Sequence, residues 1–159
     1  MRARLPVAVH LFLLREGEVL LLLRANTGYE DGRYSVIAGH LDGGESVTEA
    51  AIREAREEAG ITLQASDLAV VGVMHRKSND ERVDFFLAAH SWQGDPRNCE
   101  PDKCAELRWA RLEALPETMV GYVRDALRNY QRGIWFEEHG WPARPTTPPQ
   151  TSPQPAPLA

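Results

Sequence analysis

Residues 39–61, GHLDGGESVTEAAIREAREEAGI, constrain this 159-residue chain more tightly than any other stretch. They set Glu54, Glu57 and Glu58 close together on a helix that follows a glycine-rich loop. The helix is read from its ends. Ser46 and Glu49 form S-x-x-E, a capping box with Ser46 as N-cap. Val47, Ala51, Ala55 and Ala59 recur every four residues with Ile52 beside them, giving one apolar face. Gly60 supplies the left-handed stop. The pattern predicts a helix over 47–59. Residues three and four apart share a face, so Glu54, Glu57 and Glu58 project together beside the apolar stripe. Glu57 and Glu58 also occupy the last turn, where the helix dipole disfavours negative charge by roughly 0.3–1 kcal/mol each.

A solvated surface helix is the plain alternative, since Glu49 with Arg53 and Arg53 with Glu57 are i,i+4 pairs. The preceding loop argues against it. Gly39, Gly43 and Gly44 permit backbone geometry that other residues avoid and bring carbonyl or N–H groups close to an ion or a phosphate. Clustered carboxylates are hard oxygen donors that suit Mg²⁺, with Mn²⁺ as a substitute.

The segment resembles the Nudix box, G-x5-E-x7-R-E-U-x-E-E-x-G-U, where U is a bulky or aliphatic residue. Gly39, Glu45, Arg53, Glu54, Glu57, Glu58, Gly60 and Ile61 meet its fixed positions, and Ala55 fills the first U with a smaller side chain than usual. The resemblance implies an α/β/α sandwich around a mixed β-sheet over roughly residues 5–132. It also implies a metal-dependent hydrolase that cleaves a nucleoside diphosphate linked to another group. On the matching positions it makes Glu57 and Glu58 the principal Mg²⁺ ligands, with the Gly39 carbonyl as a third. Glu54 binds metal directly or through water, or helps deprotonate the attacking water. Arg53 orients the glutamates, and Glu45 braces loop against helix. Glu54, Glu57 and Arg53 are thus the expected catalytic set. Family members often carry a further acid before a strand reading E-x-x-E-x-x-W. Here the region is Glu100-Pro-Asp-Lys-Cys-Ala-Glu106-Leu-Arg-Trp109. Lys103 stands at the first glutamate position, Glu100 is the nearest substitute, and Glu106 matches the second.

The length suits one domain, and a hydrophobic content of 43% supplies a core. A net charge of −5 argues against general nucleic-acid affinity but not against nucleotides, because bound metal carries local positive charge. Cys99 and Cys104 have no companion pair and read as free thiols in a reducing cytosol. The apolar run Pro6–Leu14 breaks at Arg15-Glu16-Gly17-Glu18 and resumes over Val19–Leu23, which reads as two buried strands and a tight turn rather than a leader or a membrane span. Further strands are expected over 34–36, 68–74, 83–89 and 107–110. A helix is expected from Pro116 or Glu117 to about Arg132, packing Val120, Val123, Ala126 and Leu127 onto the sheet. The domain is taken as 1–141. Residues 142–159, rich in Pro, Thr and Gln, are expected to be a disordered tail.

Arg24, Arg33 and Arg76 fall at expected strand ends near the box and are candidates for phosphate contact, with Glu100 beside them. Tyr34 and Trp92 are expected in the core, and His40 packs in the loop or touches substrate. No SQPWPFP-like array follows Gly60, as it does in NADH-cleaving relatives. No proline lies about 15 residues past the box, as in ADP-ribose-cleaving ones, and Asn79 stands near the tyrosine position of the diadenosine polyphosphate group. These features favour a cytoplasmic MutT-like nucleoside triphosphate pyrophosphohydrolase. ADP-ribose, a sugar-nucleotide, a nucleoside diphosphate or a non-nucleotide diphosphate is the alternative substrate, and a non-catalytic sensing module the alternative class. A homodimer follows by family analogy.

Overall fold

Strand β1 (Val7–Arg15) organises the molecule. Its side chains alternate between two faces, as a strand's must. Val9, Leu11 and Leu13 enter one buried cluster, and Phe12 and Leu14 enter the other. The first cluster is roofed by helix α1 (Val47–Ala59), whose Ala50, Ala51, Ala55 and Ala59 lie against the sheet. The second is roofed by helix α2 (Gly121–Arg132) through Val123, Ala126 and Leu127. In this computed structural model, which describes residues 1–143 and 150–151, the result is the expected α/β/α sandwich.

The sheet is mixed. Beside β1 run β2 (Glu18–Arg24), β3 (Tyr34–Ser35), β4 (Ile37–His40), β5 (Leu68–Lys77), β6 (Glu81–Ala89), β7 (Cys104–Arg111), β8 (Ile134–His139) and β9 (Gln150–Thr151). Along the main path the order is β3-β2-β1-β6-β5-β8-β9, with β4 joining β1 and β7 joining β2. β1 pairs in parallel with β6 along most of its length. On its other edge it shares partners. Its start pairs with β4 from Ala8↔His40 to Leu11↔Ile37, and only its end, Leu14 and Arg15, pairs with β2. The sheet therefore splays between β4 and the β2–β7 pair, and the candidate site opens into that splay. The β1–β2 turn needs positive φ at both Glu16 and Gly17, which suits the strands' right-handed twist.

Helix α1 spans the predicted residues. Ser46 Oγ accepts from the Glu49 N–H at 3.1 Å, the Glu49 carboxylate accepts from the Ser46 N–H at 2.7 Å, and Gly60 closes the helix at φ 67°. Several expectations are corrected. β5 continues past Met74 to Lys77, because its hairpin with β6 pairs through Lys77↔Glu81. β7 begins at Cys104, three residues before the expected strand. α2 begins at Gly121, because Thr118 and Val120 spend backbone groups on Tyr34: the Tyr34 N–H donates to Thr118 O and the Val120 N–H to Tyr34 O. β8, paired in parallel with β5, was not foreseen. The expectation of a disordered tail falls largely outside the described residues. Of the four it shares with them, Pro142, Ala143, Gln150 and Thr151, the last two pair antiparallel with β8.

Candidate active site

The splay holds an open cleft of about 590 Å³. Gly39, Glu54, Glu57 and Glu58 line it from the loop–helix unit, Arg24 from the end of β2, and Glu100 and Lys103 from the loop before β7. Six of the nine predicted site positions are thereby brought to one place: Gly39, Glu54, Glu57, Glu58, Arg24 and Glu100.

Arg53 fastens loop to helix. Its Nε and one terminal nitrogen donate to the two Glu45 oxygens at 3.0 and 2.7 Å, a bidentate fork. The same terminal nitrogen reaches the His40 carbonyl at 3.3 Å. The other donates to Glu54 Oε1 at 2.7 Å and, more weakly, to Glu57 Oε2 at 3.4 Å. One cation thus faces three carboxylates. These bonds hold the Glu45 carboxyl below the ordinary carboxylate range. Gly39 has a steric reason to be glycine: a Cβ there would stand 2.0 Å from Glu54 Oε1. The Glu54 carboxylate lies against bare backbone at that point.

Glu58 is the most deeply placed of the cluster. One oxygen accepts from the Ala38 N–H at 2.9 Å. Burial, with Glu54 and Glu100 nearby, pushes its carboxyl up to about 8 against the opposing pull of that N–H and of Arg24. Burial raises Glu54 as well, and Arg53 counters it. Glu57 is half-exposed. Among the described residues no group of three acidic, histidine or cysteine side chains closes into a metal cage. An open site is what a small hard cation takes, since Mg²⁺ keeps waters, uses one or two carboxylates and shares the substrate's phosphate oxygens. A buried carboxylate held against neighbouring carboxylates, with a carbonyl-bearing glycine beside it, fits such an ion.

Two loops complete the cleft. Arg24 donates to the Tyr29 carbonyl at 2.8 Å and to Thr27 Oγ1 at 3.1 Å, so it fastens loop 25–33 while lining the cleft. The Ala25 N–H donates to Lys103 O and Asn26 Nδ2 to Asp102 O, tying that loop to 100–104. Asn98 accepts from the Glu100 N–H and donates to Cys104 O, which fixes the turn presenting Glu100.

Two predicted substrate residues are not in the cleft wall. Arg33 pairs with Glu30 at 3.0 Å and reaches the Met119 carbonyl, because loop 25–33 folds back on itself. Arg76 lies inside β5, 4% exposed, and donates to Asp84 Oδ2 at 2.8 Å with its guanidinium 3.7 Å from the Tyr122 ring centre. Tyr34 and Trp92 pack as expected: Tyr34 is buried with its hydroxyl at Glu106, and Trp92 stacks on Trp109. Sequence reading missed His10, Tyr29, Arg82 and Tyr122, all of which line the cleft. His10 carried a signal, being polar inside an otherwise apolar strand.

A model of the NUDIX domain matches residues 4–130. The chain belongs to the NUDIX family. Enzymes of this family generally work with divalent cations on small nucleotide derivatives. The solved MutT NUDIX hydrolase of Burkholderia pseudomallei is 29% identical and superposes with a TM-score of 0.73, covering 79% of this chain and 98% of that one. A Bacillus subtilis (strain 168) protein named "Putative 8-oxo-dGTP diphosphatase" is 30% identical over 122 residues, 76% of each chain. The NAD-capped RNA hydrolase NudC of Stutzerimonas stutzeri (strain A1501) is 30% identical over 106 residues, 65% of this chain; the Nudix chain spans 36% of that protein's length. Among the described residues no helix is long and apolar enough to cross a membrane.

Proposed function

We propose that this Nudix hydrolase converts a nucleoside or deoxynucleoside triphosphate and water to the monophosphate and pyrophosphate. The observation that carries the proposal is the single cleft in which the Glu54, Glu57, Glu58 and Glu100 carboxylates face the cationic Arg24 and Lys103. The Bacillus subtilis relative, aligned over 76% of each chain and named for an 8-oxo-dGTP substrate, supports a triphosphate.

Glu57, Glu58 and the Gly39 carbonyl would hold Mg²⁺, with Mn²⁺ as a substitute, and Glu54 would hold it directly or through water. When bound, the cation supplies a water of lowered pKa and screens phosphate charge. Arg53 keeps Glu54 in place through its 2.7 Å bond. Glu54 takes the proton of the attacking water, whose oxygen bonds to phosphorus as the anhydride oxygen leaves with pyrophosphate. Arg24 and Lys103 lie in the cleft wall to meet the phosphate chain. Glu100 is the further acid that the departure from E-x-x-E-x-x-W left open.

Product analysis with Mg²⁺ on a panel of common and damaged NTPs and dNTPs, nucleoside diphosphates, ADP-ribose, NAD and sugar-nucleotides tests this reading. Monophosphate plus pyrophosphate from a triphosphate is the expected result. Turnover confined to ADP-ribose, NAD or sugar-nucleotides would overturn the substrate class and leave the chemistry.

A further inference from the structure

His10 is 2% exposed, yet it lines the cleft. Its Nε2 lies 3.0 Å from Asp84 Oδ1, and Asp84 Oδ2 accepts from Arg76 Nε at 2.8 Å. A carboxylate held by an arginine is an acceptor on both oxygens, so the imidazole must carry its proton on Nε2. Burial, with Arg76 nearby, holds the ring below its ordinary value of 6.5 against the pull of Asp84, and the ring is neutral. Nδ1 is then a bare lone pair. Among the described residues it is the one buried side-chain polar atom with no hydrogen-bond partner. Such an orphan is costly in a folded protein and calls for an explanation.

The surroundings suit a flat ring. The Phe86 ring stacks on His10 at 4.8 Å, and the Tyr122 ring stands edge-on at 5.5 Å. Tyr122 also lines the cleft, and its hydroxyl makes no hydrogen bond among the described residues. Ala8, Ser35 and Ala38 line the same cleft with small side chains.

We propose that His10 is a specificity-determining residue, offering Nδ1 as an acceptor to an exocyclic amino group of a purine base in the substrate. This rests on the nucleotide reading given above. The base reaches Nδ1 by turning the Tyr122 ring aside. Asp84 and Arg76 are positioning residues that fix the tautomer. A base lacking the donor leaves Nδ1 orphaned, so the site discriminates against it.

The test uses matched pairs differing by one donor: GTP with ITP, and ATP with purine riboside triphosphate. For each, kcat/KM and the Kd of the corresponding monophosphate are measured. In at least one pair the wild type should favour the donor-bearing member by about 10-fold or more in both readouts. His10→Phe, which keeps a ring against Phe86 and removes the acceptor, should bring that ratio within about twofold while turnover of the donor-less member is kept. His10→Asn, which still donates to Asp84 and still offers an oxygen, should retain the preference and serves if His10→Phe melts early. Equal use of both members by the wild type, an unchanged ratio in His10→Phe, or no binding of any base analogue would overturn the assignment. Donor-dependent binding without triphosphate turnover would overturn the substrate reading and uphold His10.

Discussion

Two arginine–carboxylate networks lie on opposite sides of the sheet, and they are built to different ratios. On the α2 side Arg76 meets one carboxylate, Asp84, and a neutral His10, so the cluster is balanced and nearly closed to water. On the α1 side Arg53 meets Glu45, Glu54 and Glu57, with Glu58 buried nearby, and even with Arg24 and Lys103 across the cleft the carboxylates outnumber the cations. A balanced buried pair needs nothing more. An excess of carboxylates at a cleft is destabilising until a cation arrives. The first network therefore contributes to the fold and to ligand selection, and the second to metal binding and chemistry.

The comparison breaks most visibly at Asp84. Asp84→Ala leaves the Arg76 guanidinium buried without its partner, which costs about 3–5 kcal/mol of unfolding free energy in urea. Removing Glu45, whose partner Arg53 retains other carboxylates and is part-exposed, should cost far less. Equal losses would show that the two networks are not different in kind. Acid sharpens the same point. Burial depresses His10 despite Asp84, and the bonds from His10 and Arg76 depress Asp84 despite its burial. Both unfolded groups bind protons more readily than the folded ones. The His10 contribution should fade as pH falls below 6.5, and that of Asp84 as pH falls below 3.8 and through its depressed folded value. The Glu58 carboxyl, pushed up to about 8, works the other way between there and 4.5 in both proteins, so the urea midpoint of the wild type should fall relative to that of His10→Asn as pH drops from 7 to 5.

Glu57→Gln tests the unbalanced side. Folding should be nearly intact, because the side chain is half-exposed and the apolar face of α1 is untouched. Activity should drop at least about 100-fold through the lost charge at the metal. Mg²⁺ should raise the Tm of the wild type and do so less for the variant, by mass action on the folded state. Full activity in Glu57→Gln would sink the assignment of the cluster to metal.

The two networks also differ in how far they show in the sequence. Every bond of the Arg53 network lies within residues 40–57, on one loop and one helix, where the family resemblance sets Arg53 to orient the glutamates and Glu45 to brace loop against helix. The Arg76 network joins residues 74 positions apart across β1 and β6, which pair in parallel, and local periodicity cannot supply that register. Arg76 was misplaced for the same reason: with β5 ended at Met74 it reads as a loop cation, whereas the hairpin register runs on through Arg76↔Arg82 and turns it inward against Asp84. Arg33 failed differently, its loop closing on itself through Glu30. Glu100 reached the cleft through a turn held by Asn98, a side-chain contact that strand patterns do not encode. β8 went unread because Trp-Phe-Glu-Glu-His shows no clean alternation, and its burial in the fold is only partial.

Gly39→Ala asks whether the loop matters as backbone or only as a spacer. The added Cβ meets the Glu54 carboxylate, which is the far end of a side chain and can shift. Unfolding free energy should change little. Glu54 must leave its place beside Arg53, however, and a misplacement near 1 Å costs on the order of 10- to 100-fold in rate. A variant with wild-type kcat/KM would show that Glu54 needs no fixed position.

The smallest effect belongs to Ser46→Ala. The hydroxyl satisfies the Glu49 N–H, one of the orphan donors at the start of α1, and the reciprocal Glu49 bond fixes the entry angle of the loop. Loss of the hydroxyl should cost about 1 kcal/mol in urea unfolding. The loop is held independently by the Arg53–Glu45 fork, so kcat should be unchanged and the apparent Mg²⁺ affinity nearly so. If Ser46→Ala instead weakened Mg²⁺ binding as much as Gly39→Ala weakens turnover, the cap rather than Arg53 would be the element that sets the glutamates. The asymmetry between a cation that organises the site and a cap that only starts the helix would then be reversed.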